Sequence, residues 1–231
     1  MKRFWTQTRV AAVEGGFELR LDTRPIRTPG KRALILPTAT LAEAMAAEWE
    51  AQGETVDPRS MPVTRSANTA IDRVAPERAA VVGTVAAYGE TDLLCYRAPH
   101  PDRLIARQAA VWDPLLDWAA EAYGARLQPA AGVMFSAQDP EATARLRAAV
   151  ETRDAWALTA LHELVTLSGS LVIGLAVAEG RLSPDEGWAA SRVEEDWNIA
   201  EWGEDAEAAA QAARREADFH EAARFLMLLC A

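Results

Sequence analysis

Residues 3–22 carry the stretch RFWTQTRVAAVEGGFELRLD, which decides how the chain begins to fold. Its first half is an extended run that ends at Gly15 and Gly16, and its second half alternates apolar and charged residues. A period of two beside a glycine pair predicts a β-hairpin with one buried face. Another short strand is predicted at residues 33–36, before Pro37. The chain therefore opens with β-structure.

The chain after this hairpin region has mostly helical spacing. Thr40 and Glu43 form a capping-box pair that predicts a helix start, and Gly53 ends that helix. Residues 54–75 are irregular or partly helical. From Pro76 onward, glycines and prolines separate helices predicted near residues 76–95, 101–123, 139–150, 154–179, 183–202 and 204–230.

Among these helices, the one at residue 183 has the clearest start. Ser183 is suited to the N-cap, Pro184 to the first turn and Glu186 to the third position. Together the segments predict an α+β fold with two parts. We expect an N-terminal α+β domain over residues 1–75 and a larger all-α domain over residues 76–231.

Composition excludes several classes of function. A net charge of −10 argues against nucleic-acid binding, which needs a clustered basic face. The most apolar stretch, Leu164 to Ala178, is shorter than the ~20 residues that a membrane-spanning helix requires, so we predict a soluble protein without membrane insertion. We interpret that stretch as one central buried helix.

Motifs of catalysis are also absent from the sequence. His162 and Glu163 lack the second histidine of a zinc-protease motif, because position 166 is Thr166. Cys95 and Cys230 lie in no cysteine or histidine cluster, and neither a phosphate-binding glycine loop nor a GxSxG motif occurs. We therefore predict no cofactor, no metal and no small-molecule substrate, and we expect that the protein is not an enzyme.

The charge is unevenly distributed. Residues 1–37 carry a net +5, so the remainder carries −15, and residues 185–207 alone hold nine acids and one arginine. On one helix over 183–202, Glu194 and Glu201 lie on a polar face with Ala190 and Asn198. A second stripe runs through the apolar face and consists of Trp188, Ser191, Glu195, Ile199 and Trp202.

Glu195 on that second stripe has two interpretations. An unpaired charge on an apolar face is unfavourable in free energy. The carboxylate therefore either forms an internal ion pair with an arginine or is exposed in a groove where a partner's cation can bind it. The phasing alone leaves both open.

A family resemblance adds to this. Residues 192–203, RVEEDWNIAEWG, are similar to the C-terminal signature of the assembly chaperones that escort the alpha subunit of ATP synthase, in which two acids precede an aromatic residue and a Trp-Gly pair closes the motif. Asn198 departs from the glutamine that is usual there. Further blocks that resemble the family follow in order at residues 2–5, 21–29, 48–53, 61–65, 68–72, 91–98 and 108–115.

The resemblance implies a molecular chaperone that binds the unassembled alpha subunit of the F-type ATP synthase and shields its beta-facing surface. It also implies a bacterial cytoplasmic member, or a mature protein of the mitochondrial matrix. No coiled-coil heptad is evident, so a monomer is expected. The partner-binding residues predicted from the phasing and the resemblance are Trp188, Glu194, Glu195, Glu201, Trp202, Gly203 and Glu204.

Two other functions remain open from the sequence. The protein could be a structural or regulatory subunit of a larger complex, or a metal-dependent enzyme that uses the carboxylates of residues 185–207. The second has little support, because adjacent acids on a helix do not supply the several converging oxygens that calcium or magnesium needs.

Overall fold

A computed structural model describes residues 2–230, which form two compact units. The sheet unit comprises the chain up to Arg78, the segment Asp154–Ala160 and the residues from Arg224 onward. The helical unit comprises Ala79–Arg153 and Leu161–Ala223. The predicted α+β fold, with a larger helical part, is confirmed.

Strands are few and short. In the sheet unit, β2 pairs antiparallel with β1, β3 and β4, and in the helical unit β5 pairs parallel with β6. Their bounds are β1 Thr8–Val13, β2 Gly16–Leu21, β3 Arg24–Pro25, β4 Ile35–Leu36, β5 Tyr96–Arg97 and β6 Ala130–Ala131.

Ten α-helices account for most of the described residues, and a π-helical turn at Ala70–Val74 continues the second of them. Their bounds are α1 Ala39–Glu50, α2 Pro62–Thr69, α3 Arg78–Ala87, α4 Asp102–Tyr123, α5 Pro140–Glu151, α6 Ala155–Ser168, α7 Leu171–Ala178, α8 Pro184–Ser191, α9 Val193–Trp202 and α10 Ala206–Leu229. Among residues 2–230, no helix is both long and apolar enough to cross a membrane.

The predicted hairpin is present as β1 and β2, with Val10 opposite Leu19 in its register. Leu19 is fully buried, because its face of the sheet packs against α1. Phe225, near the end of α10, lies in the same core and stacks on Trp156 of α6 at 6.4 Å between ring centroids. The packing of these two aromatic residues explains why Asp154–Ala160 and the residues from Arg224 onward belong to the sheet unit. A division of the chain at one point near residue 76 places both segments in the helical domain.

Two predicted helix boundaries are corrected. The first helix is capped by Thr38 rather than Thr40, since the Thr38 hydroxyl accepts from the Leu41 amide at 3.2 Å. The single helix predicted over residues 154–179 is two helices, α6 and α7. Gly169 adopts φ +72°, which interrupts the helix, and Ser170 starts α7 by accepting from the Ile173 amide.

A buried carboxylate on α1 caps the N-terminus of α2. Glu48 of α1 accepts hydrogen bonds from the amides of Val63 and Thr64, at 2.6 and 2.8 Å, and from the Thr64 hydroxyl at 2.7 Å. These amides have no partner within α2, so Glu48 serves as its N-cap from a neighbouring helix. Burial raises the pKa of Glu48, and the three hydrogen bonds oppose that rise.

We expect Glu48→Gln to lower the free energy of unfolding by about 1–3 kcal/mol, because an amide NH2 would then face a helix-starting N–H. Urea denaturation measures the change. Glu43→Gln, at an exposed position of the same helix, is the control and should change it by less than about 0.5 kcal/mol. Equal losses for the two variants would contradict this role.

A second buried carboxylate lies in the helical unit. Asp92 has no exposed surface, and it accepts from the amide of Leu94 at 3.1 Å and from that of Val172, at the start of α7, at 3.0 Å. Burial raises the pKa of Asp92 from 3.8 to about 6, because loss of water disfavours the charged form more than these hydrogen bonds favour it.

This pKa predicts how stability depends on pH. The folded state holds the Asp92 proton more tightly than the unfolded state does. The stability that this proton contributes is therefore complete below about pH 4 and is lost as the pH rises through about 6. As the pH rises from 4 to 7, the free energy of unfolding of Asp92→Asn should therefore increase by about 2–3 kcal/mol relative to that of the wild type. Urea denaturation at each pH tests this, with the exposed Asp102→Asn as control; a constant difference for Asp92→Asn would refute it.

Candidate functional site

The acidic segment is not one continuous helix. α8 ends at Ser191, and Arg192, at φ −111° and ψ 11°, separates it from α9. The capping box predicted at Ser183 and Glu186 is confirmed at the start of α8. Because the break lies between Trp188 and Glu195, the single helical stripe predicted through both residues is wrong.

Trp188 is a buried residue that supports the site from within. Its side chain is only 6% exposed and its ring lies 5.8 Å from that of Phe219 of α10. The Arg192 guanidinium lies over the same indole at 5.7 Å and forms an ion pair with Asp196 at 3.3 Å. Trp188 therefore offers little surface to a partner, although it was predicted as a contact.

Buried contacts with α4 position the start of α9. The Trp112 indole N–H donates to the carbonyl of Ala190 at 2.8 Å, and both residues are buried. Val193 is 3% exposed, so the helix is held by its first residue. Next to it, the buried Gln108 side chain reaches the Glu194 carboxylate at 3.5 Å.

Three acids follow in the first turn of α9, namely Glu194, Glu195 and Asp196. Negative charge at this end of a helix is favourable, because the first amides lack helical partners. The N-terminal end of α9 can therefore hold three carboxylates without an internal cation paired with each of them.

On one side of α9 lies a groove of about 570 Å³, which we call the acidic groove. Carboxylates outnumber cations in its lining, and the alanine-rich side of α10 forms its opposite wall. Its lining consists of Trp188, Arg192, Glu195, Asp196, Asn198, Ile199, Glu204, Asp205, Ala208, Ala209, Gln211, Ala212, Ala213, Arg215 and Glu216.

Glu195 is exposed in this groove. Within residues 2–230 it forms no ion pair, whereas Asp196 pairs with Arg192 and Arg215 donates to the carbonyl of Leu167 at 2.7 Å. The internal ion pair that the sequence left open for Glu195 is therefore not observed. Glu204 is exposed in the same lining and likewise has no ion pair among the described residues.

The other side of α9 lines a second groove of about 430 Å³, the aromatic groove. Asn198 borders both grooves, so α9 is the ridge between them. The lining of the aromatic groove consists of Tyr96, Arg97, Ala98, Pro99, His100, Pro101, Leu104, Gly132, Val133, Glu194, Trp197, Asn198, Glu201 and Trp202.

The Trp-Gly pair ends the ridge. Gly203 has φ +90°, a conformation that favours glycine, and its amide donates to the carbonyl of Ile199 at 2.9 Å. Trp202 beside it is 79% exposed, and Ile199 is 36% exposed. The predicted residues thus divide between two grooves: Trp188, Glu195 and Glu204 line the acidic groove, whereas Glu194, Glu201 and Trp202 line the aromatic groove.

Sequence reasoning missed one neighbouring feature. Val133, Met134 and Phe135 follow β6 and are 91%, 81% and 65% exposed. Three consecutive large apolar residues directly after Gly132, without helical or alternating spacing, were a pattern that could have indicated an exposed loop. Across the described part of the chain, no group of three or more His, Cys, Asp or Glu is placed to hold a metal ion.

Comparisons with known proteins agree with this architecture. The model of the ATP12 chaperone protein family matches residues 2–120. Over 214 residues the chain is 25% identical to the mitochondrial protein atp12 of Schizosaccharomyces pombe, covering 87% of this chain and 74% of that protein.

Solved structures extend the likeness across the acidic segment. The crystal structure of Atp12 from Paracoccus denitrificans is 49% identical, has a TM-score of 0.96 and covers 99% of this chain and 98% of its own. A protein from Agrobacterium tumefaciens is 44% identical, with a TM-score of 0.94, over 99% of this chain and 86% of its own. The chain belongs to the ATP12 chaperone family, the ATP synthase assembly chaperones that its motifs resemble.

The different environments of two tryptophans can be tested. Trp188→Ala should lower the free energy of unfolding by about 3–5 kcal/mol, because it empties a buried volume against Phe219. Trp202→Ala removes an exposed ring and should change it by less than about 0.5 kcal/mol. Denaturant unfolding measures both, and comparable values for the two variants would contradict the burial of Trp188.

Proposed function

We propose that the protein is a chaperone that binds the unassembled alpha subunit of the F-type ATP synthase and covers its beta-facing surface until the catalytic head assembles. The observation that carries the proposal is the exposed Glu195 in the acidic groove, which has no ion pair among residues 2–230 and lies beside the partly exposed Ile199. A membership in the ATP12 chaperone family supports the general role, and the groove supports a contact surface.

The chemistry of such a groove suits a reversible shield. A subunit interface that has not yet met its partner exposes apolar surface, which aggregates unless it is covered. Apolar side chains on the chaperone supply buried area, and carboxylates at the rim supply orientation and selectivity more than affinity. Rim charges remain hydrated, so the complex can dissociate when the beta subunit competes.

On this proposal the protein acts by binding, as a monomer without catalysis, cofactor, metal or small-molecule substrate, and contacts neither nucleic acid nor membrane. The compartment is that of the unassembled subunit, either the bacterial cytoplasm or the mitochondrial matrix. The contact residues are Glu195, Glu204, Glu194, Glu201, Trp202 and Gly203, with Trp188 supporting them from the interior.

Reversal of the Glu195 charge tests the proposal. The wild type should bind isolated alpha subunit in a one-to-one complex, and Glu195→Lys should weaken binding about tenfold or more, with unchanged thermal unfolding, because the lysine repels the client's cation. Titration calorimetry measures the affinity at two salt concentrations, and the loss should shrink at high salt.

Glu121→Lys is the matched control, since it makes the same change in net charge at an exposed position of α4 outside both grooves. Equal weakening by the two variants would show a general charge effect and refute the site. Absence of binding by the wild type would refute the function, and stable co-purification with the assembled synthase would instead favour a structural subunit.

A further inference from the structure

The loop that follows β6 is the most exposed apolar feature among the described residues. Val133, Met134 and Phe135, which we call the apolar loop, present three consecutive large side chains to solvent. Single exposed apolar residues are ordinary on protein surfaces, but a contiguous cluster marks a binding surface. The question is what chemistry such a surface takes.

The apolar loop borders the aromatic groove. Val133 lines this groove together with Trp197 and Trp202 of α9, and with Pro99 and Pro101 from the segment after β5. Apolar side chains therefore converge from three parts of the helical unit. A volume of about 430 Å³ is at the lower end of the range for small binding pockets, which fits one or two side chains of a peptide segment.

The charge of the lining is acidic. Glu194 and Glu201 face the groove, whereas the Arg97 guanidinium is engaged by Asp113 at 2.7 Å and lies over the Trp112 ring at 5.2 Å. The remaining titratable side chains in the lining are Tyr96 and His100. Such a groove favours a cationic side chain on its occupant.

We infer that the aromatic groove and the apolar loop form a second docking surface, which takes a client segment with a large apolar side chain flanked by lysine or arginine. This inference rests on the proposed chaperone function and adds the chemistry of the segment that is bound. The indoles and the apolar loop contact the apolar side chain, and Glu194 and Glu201 receive the cations. Aromatic residues beside an acidic rim are typical of surfaces that carry binding energy.

The first experiment removes apolar surface. We expect the double variant Met134→Ser and Phe135→Ser to bind isolated alpha subunit about tenfold or more weakly than the wild type. The matched control is the double variant Met227→Ser and Phe4→Ser, which removes the same residue types at positions 60% and 57% exposed in the sheet unit. It should change the affinity less than about twofold. Wild-type affinity in the apolar-loop variant would overturn the inference.

The second experiment tests the chemistry of the occupant directly. Labelled ten-residue peptides with a central Leu-Phe pair are flanked by lysines, by glutamates or by serines, and fluorescence anisotropy follows their binding to the full-length protein. The lysine-flanked peptide should bind most tightly and should lose its advantage in Glu201→Lys. Equal binding of all three peptides, or an advantage that survives in Glu201→Lys, would overturn the assignment of charge.

The two proposals fail in different ways. If Glu195→Lys weakens alpha-subunit binding and the apolar-loop variant does not, only the second docking surface is refuted. If the wild type does not bind alpha subunit, the proposed function is refuted. The peptide titrations then still test which side chains the aromatic groove binds. Sedimentation velocity adds one alternative: a wild-type dimer that dissociates on loss of Met134 and Phe135 would assign the surface to a second copy and overturn the inference.

Discussion

The hydrogen bond from the Trp112 indole to the Ala190 carbonyl holds together the parts of the helical unit that form the site. It lies in the interior, where loss of either partner leaves an unsatisfied polar group at a cost of about 1–3 kcal/mol. Ala190 lies in the last turn of α8, just before the break from which α9 departs. The Arg97 guanidinium lies over the ring of the same indole. The backbone carbonyl of Arg97 accepts a hydrogen bond from the Gly132 amide at 2.8 Å, next to the apolar loop.

Carboxylates have two separate roles in this protein, and burial distinguishes them. Glu48 and Asp92 are buried, and each accepts from amides at the start of a helix, so they fasten one element to another. Glu195 and Glu204 are exposed, and within residues 2–230 neither has an ion pair. The first role joins elements of the fold, and the second leaves charge available at a surface.

Part of the candidate site could be predicted from sequence, because its acids and aromatic residues are consecutive. The concentration of charge at residues 185–207 is evident in the sequence, and so is the Trp202-Gly203 pair. Helical phasing failed at Arg192, since a local pattern does not contain the packing of α4 against the end of α8. The division of the site into two grooves on either side of α9 follows from that break.

The sequence by itself determined the opening hairpin, the α+β class, the capping box at Ser183 and the acidic character of the C-terminal part. Each of these depends on residues within a few positions of one another, through side-chain alternation, capping and charge. Only the tertiary structure decided that Trp188 is buried, that Glu195 is exposed and that the apolar loop stands in solvent. Exposure is set by which distant residues pack together, as Trp112 and Ala190 do across 78 positions, and no local pattern records that pairing.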